Sequence, residues 1–137
     1  MIEHLSLSDA LRAQFAAEAR AAFPRECCGL IEGRRESGVV FATRFHPTAN
    51  LSPDADGFEI DPAAHLSLMR ELRGSGFEIV GCYHSHPNGR PGPSDRDRAR
   101  YAAEGFVWLI AALAGAASEV EFAAFVDADF RPLAVRD

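Results

Sequence analysis

The strongest constraint in this sequence is an apolar run that ends in two histidines and a proline-rich loop. Residues 77–83 (FEIVGCY) are typical of a strand, and His84-Ser85-His86-Pro87 follows directly. Side chains two residues apart on a strand point to the same face, so His84 and His86 can aim at one point. After the loop, Ser94 and Asp97 have the spacing of a helix cap and its third residue. Two imidazoles, a carboxylate and an open fourth position together indicate a catalytic zinc site rather than a structural one.

Each half of this pattern also has a simpler interpretation. A His-x-His pair on a strand is often partly exposed and binds nothing. Ser94 with an acidic residue three positions later resembles a capping box, which needs no metal. We favour the metal interpretation because the two features follow one another, joined by a loop that three prolines stiffen. Stiffness suits a site whose ligands must converge before the metal arrives.

Length and composition narrow the class of protein. The 137 residues are enough for one domain, so we predict a single domain over residues 1–137. The net charge of −6 argues against a nucleic-acid surface. All fourteen basic residues are Arg, which excludes a catalytic lysine. The longest apolar run, residues 106–117, is too short to span a bilayer.

The cysteines and the N-terminus predict a cytoplasmic location. Three cysteines (Cys27, Cys28 and Cys82) form no disulfide framework, which suggests reduced thiols. The first residues, MIEHL, lack a basic region followed by an apolar one, so no signal peptide is expected. Cys82 lies two residues before His84 and shares its face, but we interpret it as a small apolar strand residue rather than part of the site.

The pattern of apolar residues predicts helices and strands in mixed order. One helix begins after Ser8 and ends at Pro24; a second begins at Asp61-Pro62 and packs Leu66, Met69 and Leu72 on one face; a third runs from Ser94 to about Glu104, with Gly105 as its cap. Strands are predicted over residues 27–32, 39–45, 58–60, 77–83, 107–113, 119–126 and 133–135, the first two joined by a turn at residues 33–35. This order predicts an α/β fold of the α+β type, a central mixed β-sheet packed by helices.

A third acidic residue lies upstream of the histidines and completes a family pattern. Glu26 stands in Pro24-Arg25-Glu26-Cys27-Cys28-Gly29, immediately before the first predicted strand. Taken alone, it is interpreted as a solvated strand-edge carboxylate paired with Arg25. Together with His84-Ser85-His86-Pro87 and Ser94-x-x-Asp97, it resembles the JAMM (MPN-plus) metalloprotease family, and the Pro-x-Glu-x-Cys-Gly stretch resembles its compact prokaryotic branch.

The resemblance implies a fold and a role for each residue. The fold would be a single JAMM/MPN-like domain. His84, His86 and Asp97 would bind Zn²⁺ with a water in the fourth place, and zinc lowers the pKa of that water to about 7. Glu26 would act as general base and acid, and Ser94 would donate to the oxyanion.

The resemblance also implies a function. The chain would be a zinc-dependent metallopeptidase or isopeptidase that hydrolyses the amide bond after the C-terminal Gly-Gly of a ubiquitin-like (sulfur-carrier) protein. Glycines lack side chains and can pass through a narrow channel to a recessed metal. Residues 50–58 form the longest irregular segment, and we hypothesise that they border this channel.

Two other functions remain open at this stage. One is a non-catalytic MPN-type interaction module, although such modules typically lack the metal ligands that this chain keeps. The other is a zinc hydrolase acting on a small amide. The sequence leaves the oligomeric state open, and it leaves open whether Arg90, Arg96, Arg98 and Arg100 form a basic rim for substrate; we interpret them as a solvated face paired with Asp95 and Glu104.

Overall fold

A computed structural model describes residues 1–100 and 103–137 of the chain. Within these ranges there are seven strands and three helices. They are β1 (His4–Ser6), α1 (Asp9–Ala22), β2 (Cys28–Glu36), β3 (Val39–Thr48), α2 (Pro62–Leu72), β4 (Glu78–His86), α3 (Asp95–Arg98), β5 (Val107–Ala112), β6 (Glu121–Val126) and β7 (Arg131–Arg136). None of the helices in the described ranges is long and apolar enough to cross a membrane.

The strands form one mixed sheet, as predicted, and the sheet closes on itself. The order is β1-β3-β2-β4-β5-β6-β7, and β1 pairs with both β3 and β7 to complete a barrel. Pairings of β1 with its two neighbours and of β4 with β5 are parallel, and the remaining pairings are antiparallel. Closure removes the exposed edges that an open sheet of this length would leave.

Two apolar cores lie on opposite faces of the sheet. The first contains Phe15 and Ala19 of α1, which pack with Leu5, Val80 and Tyr83. The second packs the underside of α2, through Leu68, against residues of β2, β4 and β5 that include Cys82 and Trp108. Because β4 lies between both cores, its side chains are held from two sides and its C-terminal end is rigidly placed.

Helix boundaries agree with the sequence where capping residues mark them. Ser8 caps α1 and accepts a hydrogen bond from Leu11 N, and Asp61 caps α2 with Pro62 in its first turn. The predicted apolar face of α2 was partly wrong: Leu72 packs against the second core as predicted, but Leu66 and Met69 are 47% and 53% exposed, and Leu68 is buried instead. The spacing of Leu66, Met69 and Leu72 fits a helical stripe, but the side that meets the sheet carries Leu68 and Leu72, four positions apart.

Three further predictions need correction. The β2–β3 turn lies at Ser37-Gly38 rather than at residues 33–35, and Gly33 instead marks a shift in the β2–β3 register. The strand predicted over residues 58–60 is reduced to an isolated bridge between Asn50 and Ile60. Helix α3 ends at Arg98, well before the predicted end at Glu104, and residues 101 and 102 of that prediction lie outside the described residues.

Candidate metal centre

The two histidines lie at the C-terminal end of β4 and face the same point, as the alternation along a strand requires. Both are buried, and the Nε2 atoms of His84 and His86 are 3.0 Å apart. The residue between them, Ser85, points the other way, and its Oγ accepts a hydrogen bond from Cys27 N at 2.8 Å. This hydrogen bond ties β4 to the start of β2, where Glu26 lies.

Asp97 reaches the histidines from the first turn of α3. Its Oδ2 lies 3.1 Å from His84 Nε2 and 3.0 Å from His86 Nε2, and it accepts a hydrogen bond from Ser94 N at 2.9 Å. Ser94 Oγ in turn accepts from Asp97 N at 3.1 Å, which completes a capping box. The capping box is therefore confirmed, and it is compatible with the metal interpretation because it fixes the carboxylate that points at the histidines.

The three atoms have the spacing of ligands around one metal ion. Two ligand atoms at about 2.0–2.1 Å from a tetrahedral zinc lie about 3.3 Å apart, close to the observed separations of 3.0–3.1 Å. His86 Nδ1 lies 2.9 Å from the Arg90 carbonyl oxygen, so it donates there and leaves Nε2 free as a ligand. This donor set, two imidazoles and one carboxylate, fits a catalytic zinc site.

Glu26 lies beside the histidines, just before β2 begins. One ligand atom from each of Glu26, His84 and His86 lies within 4.8 Å of the others. The carboxylate is buried, and its Oε1 has no hydrogen-bond partner in the described part of the chain. Pairing of β2 with β4, in which Cys28 lies opposite His84, brings Glu26 to this position. The Arg25 pairing considered from the sequence is not formed, because the Arg25 guanidinium donates to Ser52 O.

Burial and hydrogen bonds shift the pKa values of the site residues in different directions. It raises the pKa of Glu26 to about 7, with Asp97 adding to the rise and His86 opposing it. Burial also lowers the pKa of His84, which keeps that imidazole neutral. For Asp97, burial is outweighed by hydrogen bonds to both histidines, which hold its pKa well below the usual range. The result is an ionised carboxylate and a neutral imidazole ready to bind a cation, beside a carboxyl that exchanges its proton near neutral pH.

A cleft of about 270 Å³ opens from this centre to solvent. It is lined by Glu26, Asp56, His86, Pro87, Asn88, Ser94, Asp95 and Arg96. Asp56 belongs to the irregular segment that the sequence placed beside the channel, so the segment does border the cleft. Cys82 does not line it, and its side chain is buried in the second core.

The arginines near the site have partners that the sequence did not predict. Arg96 pairs with Asp54 at 2.9 Å and with Asp56 at 3.7 Å, rather than with Asp95. Arg100 lies over the Phe58 ring, 3.9 Å from its centroid. Phe58 itself stacks on His84, a role that no local pattern marks, because the two residues are 26 positions apart. Correlated variation of the two positions among homologous sequences is the kind of signal that would have found this contact.

Comparison with known proteins agrees with this geometry. The Prok-JAB family profile, described as prokaryotic homologs of the JAB domain, matches residues 8–126. That span covers most of the chain and all five candidate residues. The chain therefore belongs to the Prok-JAB family.

Two curated proteins are similar to this Prok-JAB chain over more than half of its length. A desampylase of Haloferax volcanii is 36% identical over 88 residues, which are 64% of this chain and 62% of that protein. A probable TtuB-protein conjugate cleaving protease of Thermus thermophilus is 37% identical over 75 residues, 54% of this chain and 47% of that protein. The chain thus spans about half to three-fifths of the length of these relatives.

Solved structures extend the similarity to nearly the whole chain. A protein from Desulfitobacterium hafniense has a TM-score of 0.82 and 28% identity, covering 96% of this chain and 90% of that one. A JAB1/MPN domain protein from Archaeoglobus fulgidus has a TM-score of 0.60 and 18% identity, covering 98% and 99%. These likenesses confirm the predicted JAMM/MPN-like fold.

Proposed function

We propose that this protein is a zinc-dependent metallopeptidase or isopeptidase that cleaves the amide bond after the C-terminal Gly-Gly of a ubiquitin-like, sulfur-carrier type of protein. The observation that carries the proposal is the convergence of His84, His86 and Asp97 within 3.0–3.1 Å of one another, beside the buried Glu26 carboxylate. A structural zinc site would fill its fourth position with a protein ligand. Here the fourth side faces a cleft and a titratable carboxyl instead.

In this proposal the ligands are His84, His86 and Asp97. Bound zinc would supply Lewis acidity that makes water nucleophilic near neutral pH. Glu26 takes a proton from the attacking water and passes it to the leaving amine. Burial favours this role, because in the metal-free protein it raises the pKa of Glu26 to about 7 and so makes the carboxylate a stronger base than an exposed one.

Ser94 is the proposed donor to the oxyanion. Its Oγ accepts the hydrogen bond from Asp97 N, so the hydroxyl proton remains available for a second partner. The side chain lines the cleft and is fixed by the capping box, so it needs no rearrangement as negative charge develops on the substrate.

The substrate class is supported by the shape of the site and by the relatives. The cleft is small, which favours a tail without side chains such as Gly-Gly. The name of the Thermus relative describes cleavage of a protein conjugate, and the relatives also include proteins named as histone deubiquitinases. We place the protein in the cytoplasm with its three buried cysteines reduced, and we propose neither a nucleic-acid nor a membrane partner.

The test uses a ubiquitin-like protein that ends in Gly-Gly and is joined to a reporter, in one version by a peptide bond and in another by an isopeptide bond to lysine. The zinc-loaded protein should release a fragment whose mass ends at the second glycine. Glu26→Gln should release none while still binding zinc. A substrate with Ala-Ala in place of Gly-Gly should be cut much more slowly, since methyl groups obstruct a narrow cleft.

The alternative functions give different results in the same experiment. Zinc binding with no cleavage of either fusion, but turnover of small acyl amides, would support the small-amide hydrolase. No zinc binding, together with a stable complex between the chain and the ubiquitin-like protein, would support the interaction module. Either outcome would overturn the proposed function.

A further inference from the structure

The two histidines of the proposed zinc site are held in different ways. His86 donates from Nδ1 to the Arg90 carbonyl oxygen at 2.9 Å, the usual means by which a metal-binding imidazole is oriented. The Nδ1 atom of His84 is buried and has no hydrogen-bond partner within residues 1–100 and 103–137. His84 is the more deeply buried of the two, so solvent does not orient its ring.

Aromatic stacking takes the place of this hydrogen bond. The Phe58 ring lies 4.2 Å from the His84 ring, centroid to centroid, with 18° between their planes. Tilting the imidazole plane away from the Phe58 plane would break this face-to-face contact. Phe58 therefore sets the plane of the imidazole, in which Nε2 lies.

Phe58 is itself held on its other face. The Arg100 guanidinium carbon lies 3.9 Å from the Phe58 centroid, and Arg100 also donates a hydrogen bond to the Phe58 carbonyl oxygen. Two groups this near the centroid cannot share one face of a ring, so Arg100 and His84 lie on opposite faces. Phe58 is thus clamped between a cation and the imidazole.

The backbone on either side of Phe58 is fixed by Asn50. The amide oxygen of Asn50 accepts from Ser52 N at 2.9 Å and from Glu59 N at 3.0 Å. Its amide nitrogen donates to Gly57 O and Glu26 O, both at 3.0 Å. The Asn50 side chain therefore connects the backbone on both sides of Phe58 to the backbone of Glu26, the proposed general base.

We propose that Phe58 is a positioning residue for the zinc site: by stacking on His84 it sets the orientation of a ligand that has no hydrogen bond from its second nitrogen. This inference rests on the proposed function only in taking zinc as the ion. Residues that orient metal-binding histidines typically alter metal affinity by about 10–100-fold when substituted. We expect the zinc affinity to fall by a factor in that range when the aromatic ring of Phe58 is removed.

The experiment compares Phe58→Leu with Phe45→Leu. Phe45 is the matched control, because it is also 3% exposed and also stacks on an aromatic ring, Tyr83, but it belongs to the first core. Zinc dissociation constants are measured by competition with a chromophoric chelator, and the visible absorption of the Co²⁺-substituted proteins reports on ligand geometry. Circular dichroism and thermal unfolding establish that each variant is folded at the assay temperature.

The expected result is a rise of about 10–100-fold in the zinc dissociation constant of Phe58→Leu with an altered Co²⁺ spectrum. Phe45→Leu should lose comparable stability but keep the wild-type affinity and spectrum. An affinity for Phe58→Leu within twofold of wild type, or equal losses in both variants, overturns the inference. Those results leave the proposed function intact if the wild type binds zinc and cleaves its substrate. A wild type that binds no zinc overturns both.

Discussion

Glu26 is the residue at which stability and chemistry conflict most directly. Its carboxyl is buried, and its pKa rises from 4.5 to about 7 on folding. A raised carboxyl pKa means that the folded state resists ionisation. The protein is therefore most stable with respect to this group below pH 4.5, where the carboxyl is protonated, and it loses that stability as the pH rises through 7. A buried carboxyl with this energetic cost is consistent with the catalytic role proposed for Glu26.

This conflict predicts a substitution that stabilises and inactivates at once. In zinc-free protein, Glu26→Gln should raise the free energy of unfolding by about 1–3 kcal/mol at pH 8, because the neutral amide has no ionisation to suppress. This difference in the free energy of unfolding between the variant and wild type should shrink as the pH falls from 7 to 4.5. Urea unfolding of both proteins in chelator at pH 5 and pH 8 measures it. A variant that is less stable than wild type at pH 8 would contradict the assigned environment.

Ser94 is observed as the cap of α3 and is proposed as the donor to the oxyanion, and both roles depend on its hydroxyl. Ser94→Ala removes the hydroxyl donor, so kcat should fall by about 100-fold or more. It also removes the cap of α3, so the free energy of unfolding should fall by about 0.5–2 kcal/mol. Ser94→Thr keeps both functions and should retain most of the activity. Steady-state kinetics of the three zinc-loaded proteins test this. If Ser94→Thr were as inactive as Ser94→Ala, the hydroxyl would not be the deciding group.

At the scale of whole elements, the sequence was informative where a local signal marks the element. The starts of the three helices in the described ranges were predicted correctly from Ser8, Asp61-Pro62 and the Ser94–Asp97 box. The end of α3 was predicted too late: the helix ends at Arg98, and residues 101 and 102 of the predicted helix lie outside the described residues. Strand β1 was missed because three residues carry no periodicity, and its partners β3 and β7 lie far along the chain.

The β2–β3 hairpin shows how a turn signal can mislead. Gly33 suggested the turn, yet it serves a close approach: an added Cβ would lie 2.1 Å from the Phe41 carbonyl oxygen. The turn itself is Ser37-Gly38, where φ is +51° and +81°. Positive φ at both central residues is the requirement of a type I′ hairpin turn, in which Asn-Gly is preferred.

A stabilising substitution at this turn follows. Ser37→Asn should raise the free energy of unfolding by about 0.5 kcal/mol, because Asn tolerates positive φ better than Ser does. Ser37→Val should lower it by about 1 kcal/mol or more, since a β-branched side chain is strained there. Thermal unfolding of the two variants and wild type measures both effects. Equal stability of all three would show that the turn is not the one described.

At the scale of the molecule, the site exists only when the barrel is assembled. Glu26 precedes β2, the histidines end β4, and Asp97 lies on α3 after the loop. Their types and spacing were readable from the sequence because each lies beside a local marker. Phe58, Asn50 and the Asp54–Arg96 pair were not, since their roles depend on contacts across 24 to 42 positions.

Zinc binding should therefore stabilise the whole folded domain, because the site forms only in the folded state. An ion that binds the folded protein alone stabilises it in proportion to the logarithm of its free concentration, by about 4 kcal/mol at a thousandfold excess over the dissociation constant. Removing zinc from wild type with a chelator should lower the unfolding temperature by at least several degrees, and restoring zinc should reverse the change. His84→Ala should contain no zinc by mass spectrometry and should show no response to either treatment. If this variant responded like wild type, the stabilising ion would be bound outside the site at the end of β4.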